Sequence, residues 1–211
     1  NPRSYPRSGT TATDLINKVE GTLQSSGMFE TDNAGVFDFD GGTNTIQFST
    51  TISINSVSLW FKPNSTITTS TSNGCPISFG TTDFRNAIYL GSNFSAIANE
   101  LITVMDQSTN RSYYAQSGGS ISASWHHLAI VHDGTKYQIY LDGSALTTTG
   151  STSLITSQQV LIGARGDSSS YFNGEISNVA VYNQAISPED IKYLYNGGTP
   201  QTNISFEPVS W

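Results

Sequence analysis

Charge is scarce in this sequence, and positive charge most of all. Only 12% of the 211 residues are charged, which is about half the share of a typical domain. Nine Lys and Arg residues stand against sixteen Asp and Glu residues, for a net charge of −7. Because affinity for phosphate backbones and anionic lipid surfaces comes from cationic side chains, this composition argues against nucleic acid and membrane surfaces as partners.

Cysteine is nearly absent, and long apolar runs are missing. Cys75 is the only cysteine, which excludes an internal disulfide, and we interpret it as a small buried strand residue rather than a catalytic thiol. No apolar run approaches the roughly 18 residues that a spanning helix requires, so we expect no membrane insertion. The chain opens at Asn1 without a signal-peptide pattern, which favours a processed product or a piece of a longer protein.

In place of charge the chain carries Ser, Thr, Asn and Gly, and its apolar residues alternate with polar ones. In Ser56–Pro63, Val57, Leu59 and Phe61 share one face, and a period of two is typical of β-strands. The other predicted strands are Gly35–Gly41, Cys75–Thr81, Asn86–Ser92, Leu101–Asp106, Arg111–Gln116, Lys136–Leu141, Gln159–Ala164 and Gly174–Tyr182. Many short strands separated by polar turns predict an antiparallel sandwich.

The strongest strand signal is Trp125–Leu146. Within it, Asp133-Gly134 is typical of a hairpin turn, because Gly adopts a positive φ at no steric cost, and Asp142-Gly143 predicts a second turn. Two segments favour helix instead: a short turn at Thr13–Val19, and a helix at Ser187–Tyr195 that opens with a capping serine and a proline.

Together these motifs resemble the laminin-G-like jelly rolls of the concanavalin-A-like lectin and glucanase superfamily. The matching motifs are Phe37-Asp38-Phe39-Asp40-Gly41, Val57–Pro63, Trp125-His126-His127, Asp133-Gly134, Tyr140-Leu141-Asp142-Gly143, Gly174-Glu175-Ile176, Tyr182-Asn183 and Ser187-Pro188-Glu189. The resemblance implies an all-β, two-sheet antiparallel jelly-roll sandwich with one short C-terminal helix over residues 35–198, with the tryptophan of the Trp-His-His motif in the core. Residues 1–34 are then a lead-in arm with a first strand, and residues 199–211 are a C-terminal arm.

The opening segment, Asn1–Leu23, is similar to the lead-in found on such domains in bacteriophage and marine-microbe proteins. Members of the superfamily commonly bind glycans or proteins at loops on one rim, and some hold Ca²⁺. The resemblance therefore implies a module displayed on a virion surface or outside a cell.

A calcium site is one candidate. Calcium prefers six to eight oxygen ligands, usually with carboxylates among them. Asp38 and Asp40 share a face at a predicted strand end, and the resemblance places Ser177 and Asn178 where many relatives carry an acidic pair. Asp40 with Asn178 is therefore the candidate calcium pair, and an ordinary Asp-Gly turn is the alternative.

Catalysis finds little support. Glycosidases of the related laminarinase type need two carboxylates on one strand face, spaced as in Glu-x-Asp-x-Glu. Glu30-Thr31-Asp32 matches the first two positions in a predicted loop, and the third is missing. His126 and His132 share a strand face but lie about 20 Å apart, too far to share a metal ion. We therefore predict that the chain is not an enzyme and has no catalytic residues.

Glycan binding uses exposed aromatic rings that stack on sugars, flanked by amides and charged groups. The candidate ligand-binding residues, all expected in loops, are Tyr171, Phe172, Asn173, Arg165, Asp167, Tyr113 and Phe84. Arg165-Gly166-Asp167 also matches the Arg-Gly-Asp motif of integrin ligands, which we interpret as a chance match.

Two functions follow from these observations. The first is a non-catalytic carbohydrate- or surface-binding module whose partner is a glycan or cell-surface polysaccharide. The second is a structural subunit, such as a capsid decoration or fibre protein, that assembles with virion or fibre subunits or with itself. In that case Tyr5, Phe206 and Trp211 in the terminal arms are the expected anchors. A glycosidase comes third, because it needs a carboxylate pair.

Overall fold

Two antiparallel sheets and one α-helix make up the computed structural model. It describes residues 10–14, 19–25, 28–30, 35–71, 73–80, 85–91, 100–116 and 118–200. The predicted all-β, two-sheet jelly roll with one short helix near the C-terminus is confirmed. Within the described ranges no helix is both long and apolar enough to cross a membrane.

The larger sheet runs across the whole sandwich. Its strands are β1 (Thr11–Thr13), β2 (Glu20–Leu23), β5 (Ile46–Ile54), β8 (Gly74–Phe79), β9 (Ala87–Leu90), β10 (Glu100–Met105), β11 (Arg111–Ala115), β16 (Thr149–Gly150) and β17 (Ile155–Ile162). Their order across the sheet is β1-β2-β5-β17-β8-β9-β10-β11-β16. Strands distant in the chain are therefore neighbours in space, as β17 is to both β5 and β8.

The smaller sheet faces the larger one. Its strands are β3 (Phe29–Glu30), β4 (Val36–Asp40), β6 (Ser56–Pro63), β13 (His126–His132), β14 (Tyr137–Leu141), β15 (Ser144–Ala145) and β18 (Asn173–Tyr182). They follow the order β15-β14-β13-β6-β18-β4-β3. A separate short ladder joins β7 (Ile67–Thr68) to β12 (Ser120–Ile121).

The main core lies between the sheets. Leu59 and Leu128 of the smaller sheet and Ile77 and Val104 of the larger sheet belong to one apolar cluster, and each is at most 1% exposed. Alternation sends every second side chain of these strands into this layer, where removal of apolar surface from water drives folding.

The helix α1 (Pro188–Tyr195) closes the outer side of the smaller sheet. A capping box starts it: the Ser187 hydroxyl accepts the Asp190 N–H at 3.1 Å, and the Asp190 carboxylate accepts the Ser187 N–H at 3.0 Å. Ile191 then packs against Ala129 in a second apolar cluster. The smaller sheet is consequently buried on both faces at β13.

Three expectations differ from the structure. The strand Ile46–Ile54 was not predicted, because only its ends are buried and its exposed middle breaks the apolar alternation. The helical turn expected at Thr13–Val19 is wrong at its start, since Thr13 ends β1, and residues 15–18 lie outside the described residues. Trp125 is half-buried rather than in the core, because it precedes β13, and Trp60 is the tryptophan buried beneath the helix.

The lead-in contributes more than the one strand expected of it. Strands β1 and β2 extend the larger sheet and β3 extends the smaller one. Residues 1–9 and 201–211, which include Tyr5, Phe206 and Trp211, lie outside the described residues. Assembly through terminal arms therefore stays a prediction.

His127 is the polar residue at the centre of the layer between α1 and the smaller sheet. It is 0% exposed, and its Nε2 lies 2.8 Å from the Ser58 hydroxyl. Its Nδ1 has no hydrogen-bond partner among the described residues. The rings of Trp60 and Tyr195 pack around it at 5.3 and 6.3 Å. Burial lowers the pKa of His127 to about 4, because a buried imidazolium loses its hydration.

We expect His127 to make folding stability depend on pH. Its pKa is lower in the folded state than the ordinary value of about 6.5, so the unfolded chain binds the extra proton and stability falls as pH drops from about 6.5 to 4. Urea unfolding of the wild type and of His127→Gln between these pH values measures the effect. The variant should lose part of the pH slope, and an unchanged slope would contradict this assignment.

Candidate functional site

Strands β8 to β11 carry a second set of side chains on the face of the larger sheet that points away from the core. The register aligns Tyr89, Thr103 and Tyr113 across three strands, one residue out of step with the core positions Ile102 and Val104. Successive side chains of a strand point to opposite faces. This set, which we call the outer face, comprises Cys75, Ser78, Ala87, Tyr89, Glu100, Thr103, Met105, Arg111 and Tyr113.

One half of the outer face is covered by the loop that joins β17 to β18. Cys75, Ala87, Tyr89 and Met105 form a small apolar cluster, and the Cys75 N–H donates to the carbonyl of Ser170 in this loop at 2.8 Å. Burial strongly raises the pKa of the Cys75 thiol, so it stays protonated and unreactive. The prediction of a buried strand cysteine is confirmed.

Arg165 and Asp167 hold this loop together. The Arg165 guanidinium donates two parallel hydrogen bonds to the Asp167 carboxylate, both at 2.8 Å, and Ser169 donates a third to the same carboxylate. Arginine and aspartate of the Arg-Gly-Asp sequence are thus bound to each other, which leaves neither extended for a partner.

The other half of the outer face is polar and open. The Arg111 guanidinium lies over the Tyr113 ring, 5.6 Å from its centroid, in a cation–π arrangement. Glu100 is 3% exposed, and its carboxylate accepts a hydrogen bond from the Thr103 hydroxyl at 2.7 Å. Its second oxygen lies 3.8 Å from Arg111 Nε. Burial raises the pKa of Glu100, and the Thr103 and Arg111 contacts offset only part of that rise.

An open depression of about 510 Å³ lies at this half of the face. Its lining combines one aromatic ring, one guanidinium, one side-chain amide, one thioether and three hydroxyls, one of which is the phenol of the ring. The residues are Met105, Thr109, Asn110, Arg111, Tyr113, Gly150 and Ser151. The depression therefore offers one aromatic ring with polar groups beside it on an open surface.

Asp106 holds the rim of this depression in place. Its carboxylate accepts the backbone N–H groups of Ser108, Asn110 and Ser153 at 2.7 to 3.0 Å. Burial favours a higher pKa for Asp106, but the hydrogen bonds from Ser153 and Ser108 outweigh it and the pKa falls below the ordinary value. The hairpin between β10 and β11 is thereby tied to the segment that follows β16.

Four of the predicted ligand-binding residues lie on or beside the outer face. Tyr113 faces the open depression, whereas Arg165 and Asp167 brace the loop over the covered half. Tyr171 belongs to the same loop, where it is half-buried and forms a bridge with Cys75, and the half-buried Asn173 begins β18. Phe84 lies outside the described residues.

The prediction for Phe172 is wrong. Its side chain is 0% exposed and packs edge-on against Phe39 and Phe61, with ring centroids at 6.3 and 6.4 Å. Because the loop ends where β18 begins, alternation turns Phe172 inward while Tyr171 stays at the surface. Phe172 therefore belongs to the core and cannot stack on a sugar.

Asp40 and Asn178 do not meet. The residue opposite Asp40 is Asn173, so Asn178 lies five residues further along β18, roughly 17 Å away. Asn178 instead occupies a β-bulge with φ +49°. The Asp40 carboxylate accepts the N–H groups of Gly42, Thr43 and Asn44 at 2.8 to 2.9 Å. These bonds, led by those from Asn44 and Thr43, strongly lower the pKa of Asp40.

The calcium pair is therefore wrong in its geometry, because Asp40 ends β4 at one end of the β4–β18 ladder and Asn178 lies beyond its other end. Asp40 acts as the acceptor that closes a turn, as the alternative interpretation supposed. No group of three or more His, Cys, Asp or Glu side chains in metal-binding arrangement occurs among the described residues.

His126 belongs to a chain of polar side chains at one end of β13. Its Nδ1 lies 2.8 Å from the Asp142 carboxylate and its Nε2 lies 3.0 Å from the Ser122 hydroxyl, which contacts Ser124 at 2.6 Å. The order carboxylate, imidazole, hydroxyl is that of a catalytic triad. Asp142 also accepts the His127 N–H at 2.9 Å. Neither of the two depressions beside β10 and β11 is lined by Ser122, His126 or Asp142. The chain of bonds secures the turn after β14.

Sequence reasoning missed Glu100, Thr103 and Arg111 as members of the site. Arg111 and Tyr113 are two apart on a predicted strand, so alternation alone could have placed them together. Glu100 and Thr103 share a face only because β10 has a bulge between Glu100 and Ile102. A bulge shifts the alternation by one residue, and no residue pattern in the local sequence predicts it.

We expect Phe172→Ala to lower the free energy of unfolding by about 3–5 kcal/mol, because it leaves a cavity between Phe39 and Phe61. Tyr171→Ala is the matched control and should cost far less, since that ring is half-buried. Urea unfolding monitored by tryptophan fluorescence compares the two. Equal losses for both variants would place Phe172 outside the core.

Comparison with known proteins agrees with this architecture. Residues 34–192 match a laminin-G-type family described as the concanavalin A-like lectin/glucanases superfamily. Domain 4 of AbnA, a GH43 extracellular arabinanase from Geobacillus stearothermophilus solved with arabinotriose, superposes with a TM-score of 0.62 at 19% identity, over 87% of this chain and 92% of that domain. A search of the curated proteins found no match.

Two further structures match this chain over only part of their own length. The receptor binding domain of botulinum neurotoxin D has a TM-score of 0.57 at 14% identity, over 89% of this chain and 51% of that one. Trypanosoma rangeli sialidase has a TM-score of 0.57 at 13% identity, over 91% of this chain and 31% of the sialidase. Identities this low establish the fold alone, whereas the family match covers more than half of the sequence. This chain belongs to the concanavalin A-like lectin/glucanases superfamily.

Proposed function

We propose that the chain is a non-catalytic carbohydrate-binding module, displayed outside a cell or on a virion, that holds its glycan on the open half of the outer face. The observation that carries this proposal is the half-exposed Tyr113 ring beside Arg111 in an open depression lined by Asn110 and Ser151. A flat ring supplies the apolar contact for a sugar face. The neighbouring amide, hydroxyl and guanidinium groups bond to sugar hydroxyls.

The relatives support this proposal through what they bind. The arabinanase domain, which matches this chain over nearly its whole length, was solved with arabinotriose. The botulinum neurotoxin D fragment is a receptor binding domain. Ligand binding by a sheet sandwich of this shape is therefore a reasonable expectation for this chain, whereas the fold by itself does not define a ligand.

The carboxylates at the outer face favour binding over hydrolysis. A glycosidase needs one carboxyl group as acid and another as nucleophile or base, with both reaching the same bond. Glu100 is buried against Thr103, Asp106 is bonded to three backbone N–H groups, and Asp167 is bonded to Arg165. Each of these groups already has a structural role, so we propose that the module binds glycan without cleaving it.

Tyr113→Ala should weaken glycan binding by about tenfold or more, because loss of a stacking ring removes 1.4 kcal/mol or more. A glycan array of neutral and acidic polysaccharides, arabinan included, first identifies the ligand with and without Ca²⁺. Isothermal titration then compares the variants.

Tyr193→Ala is the control. Tyr193 is 73% exposed on α1, which covers the opposite sheet, and its loss should leave the affinity unchanged. If Tyr193→Ala weakens binding and Tyr113→Ala does not, the glycan lies on the helix side. If no glycan binds and light scattering shows a defined oligomer, the structural-subunit function takes precedence.

A further inference from the structure

The Arg111 guanidinium donates no hydrogen bond to another described residue, whereas the other described arginines each donate at least one. Arg165 places two N–H groups on Asp167, and Arg85 donates to the Gln107 carbonyl at 2.7 Å. A Glu100 oxygen lies 3.8 Å from Arg111 Nε, which is beyond hydrogen-bond distance. Among the described residues, then, Arg111 has a charge partner but no hydrogen-bond acceptor.

Glu100 also has a side-chain atom without a hydrogen bond. Its side chain is 4% exposed, and its Oε1 has no hydrogen-bond partner among the described residues. The other oxygen is bonded to Thr103. Buried carboxylate oxygens are seldom left unpaired, because each lost bond costs free energy. Glu100 and Arg111 therefore do not bond directly to each other. Arg111 instead lies over the Tyr113 ring, and both residues line the open depression.

A planar guanidinium with free N–H groups is suited to a carboxylate, sulfate or phosphate, which it binds through two parallel hydrogen bonds. Resting on an aromatic ring orients the guanidinium before the ligand arrives and reduces the entropy lost on binding. Asn110, Thr109 and Ser151 line the same depression and add neutral donors. A neutral sugar would leave the charge of Arg111 unused.

We propose that the glycan held at this depression is acidic, and that Arg111 binds its carboxylate or sulfate group. This inference rests on the proposed glycan-binding function and names the ligand class of that site. The rest of the chain makes the inference specific: with a net charge of −7, the protein repels polyanions in general. Attraction of an acidic glycan therefore has to come from a local arrangement such as this one.

The support from Glu100 is electrostatic as well as geometric. Burial raises the pKa of this carboxyl group, which favours its neutral form. A shift in this direction lessens the compensation of the Arg111 charge by Glu100. An anion arriving at Arg111 meets a guanidinium whose side chain is only 28% exposed, where the attraction is stronger than in water.

The test pairs acidic polysaccharides with neutral counterparts of the same backbone. Polygalacturonate is compared with its fully methyl-esterified form, and a sulfated galactan with the desulfated galactan, by isothermal titration against the whole chain. We expect one acidic member to bind about tenfold or more tightly than its neutral partner, and to weaken as salt screens the charge. The carboxylated and sulfated arms identify which anion is used.

Arg111→Gln should abolish this preference, so that the acidic polymer binds no more tightly than its neutral partner. Arg111→Lys keeps the charge without the planar fork, and should retain only part of the preference. Because Arg111→Gln leaves Glu100 buried without its cation, Arg111→Gln with Glu100→Gln is the variant that keeps the fold if the single substitution destabilises it.

The outcomes separate the two proposals. If the neutral and acidic polymers bind equally, with an affinity that Tyr113→Ala lowers, the site is a glycan site and the acidic preference is wrong. If an acidic preference survives both Arg111→Gln variants, the anion lies elsewhere and the role of Arg111 is wrong. If no polymer of either kind binds, both proposals fail together.

Discussion

The apolar layer between the two sheets determines where every other side chain points. Leu59, Ile77, Val104 and Leu128 meet there from both sheets, and burial of this layer supplies most of the driving force for folding. Once alternate residues of a strand are directed inward, the intervening residues are directed outward without further choice. The helix side and the outer face of the larger sheet are both consequences of this one layer.

The outward faces of the two sheets differ in how much of each is covered. On the smaller sheet, α1 covers Ala129 and the buried imidazole of His127, so that strand β13 is enclosed on both sides. On the larger sheet, the loop braced by Arg165 and Asp167 covers only one half. The half around Arg111 and Tyr113 stays open, and that is why the candidate site lies there.

Several carboxylates in this protein serve as hydrogen-bond acceptors for backbone N–H groups. Asp40 and Asp106 each accept three backbone N–H groups, and Asp190 caps the helix. A chain with so few charges places them where turns and caps need acceptors. Against that background Glu100 and Arg111 stand out, because the Glu100 carboxylate is buried on a sheet face and one of its oxygens accepts no hydrogen bond.

The sequence by itself determined the all-β class, most strand positions and the C-terminal helix, because alternation, Asp-Gly turns and capping residues act over a few neighbouring residues. It also placed Tyr113 among the candidates. Only the tertiary structure decided that Phe172 is in the core, that Asp40 and Asn178 are apart, and that Glu100 lies beside Arg111. These facts depend on which strands are neighbours and on a bulge in β10. Neighbour choice is set by packing between residues far apart in the chain, which no local pattern encodes.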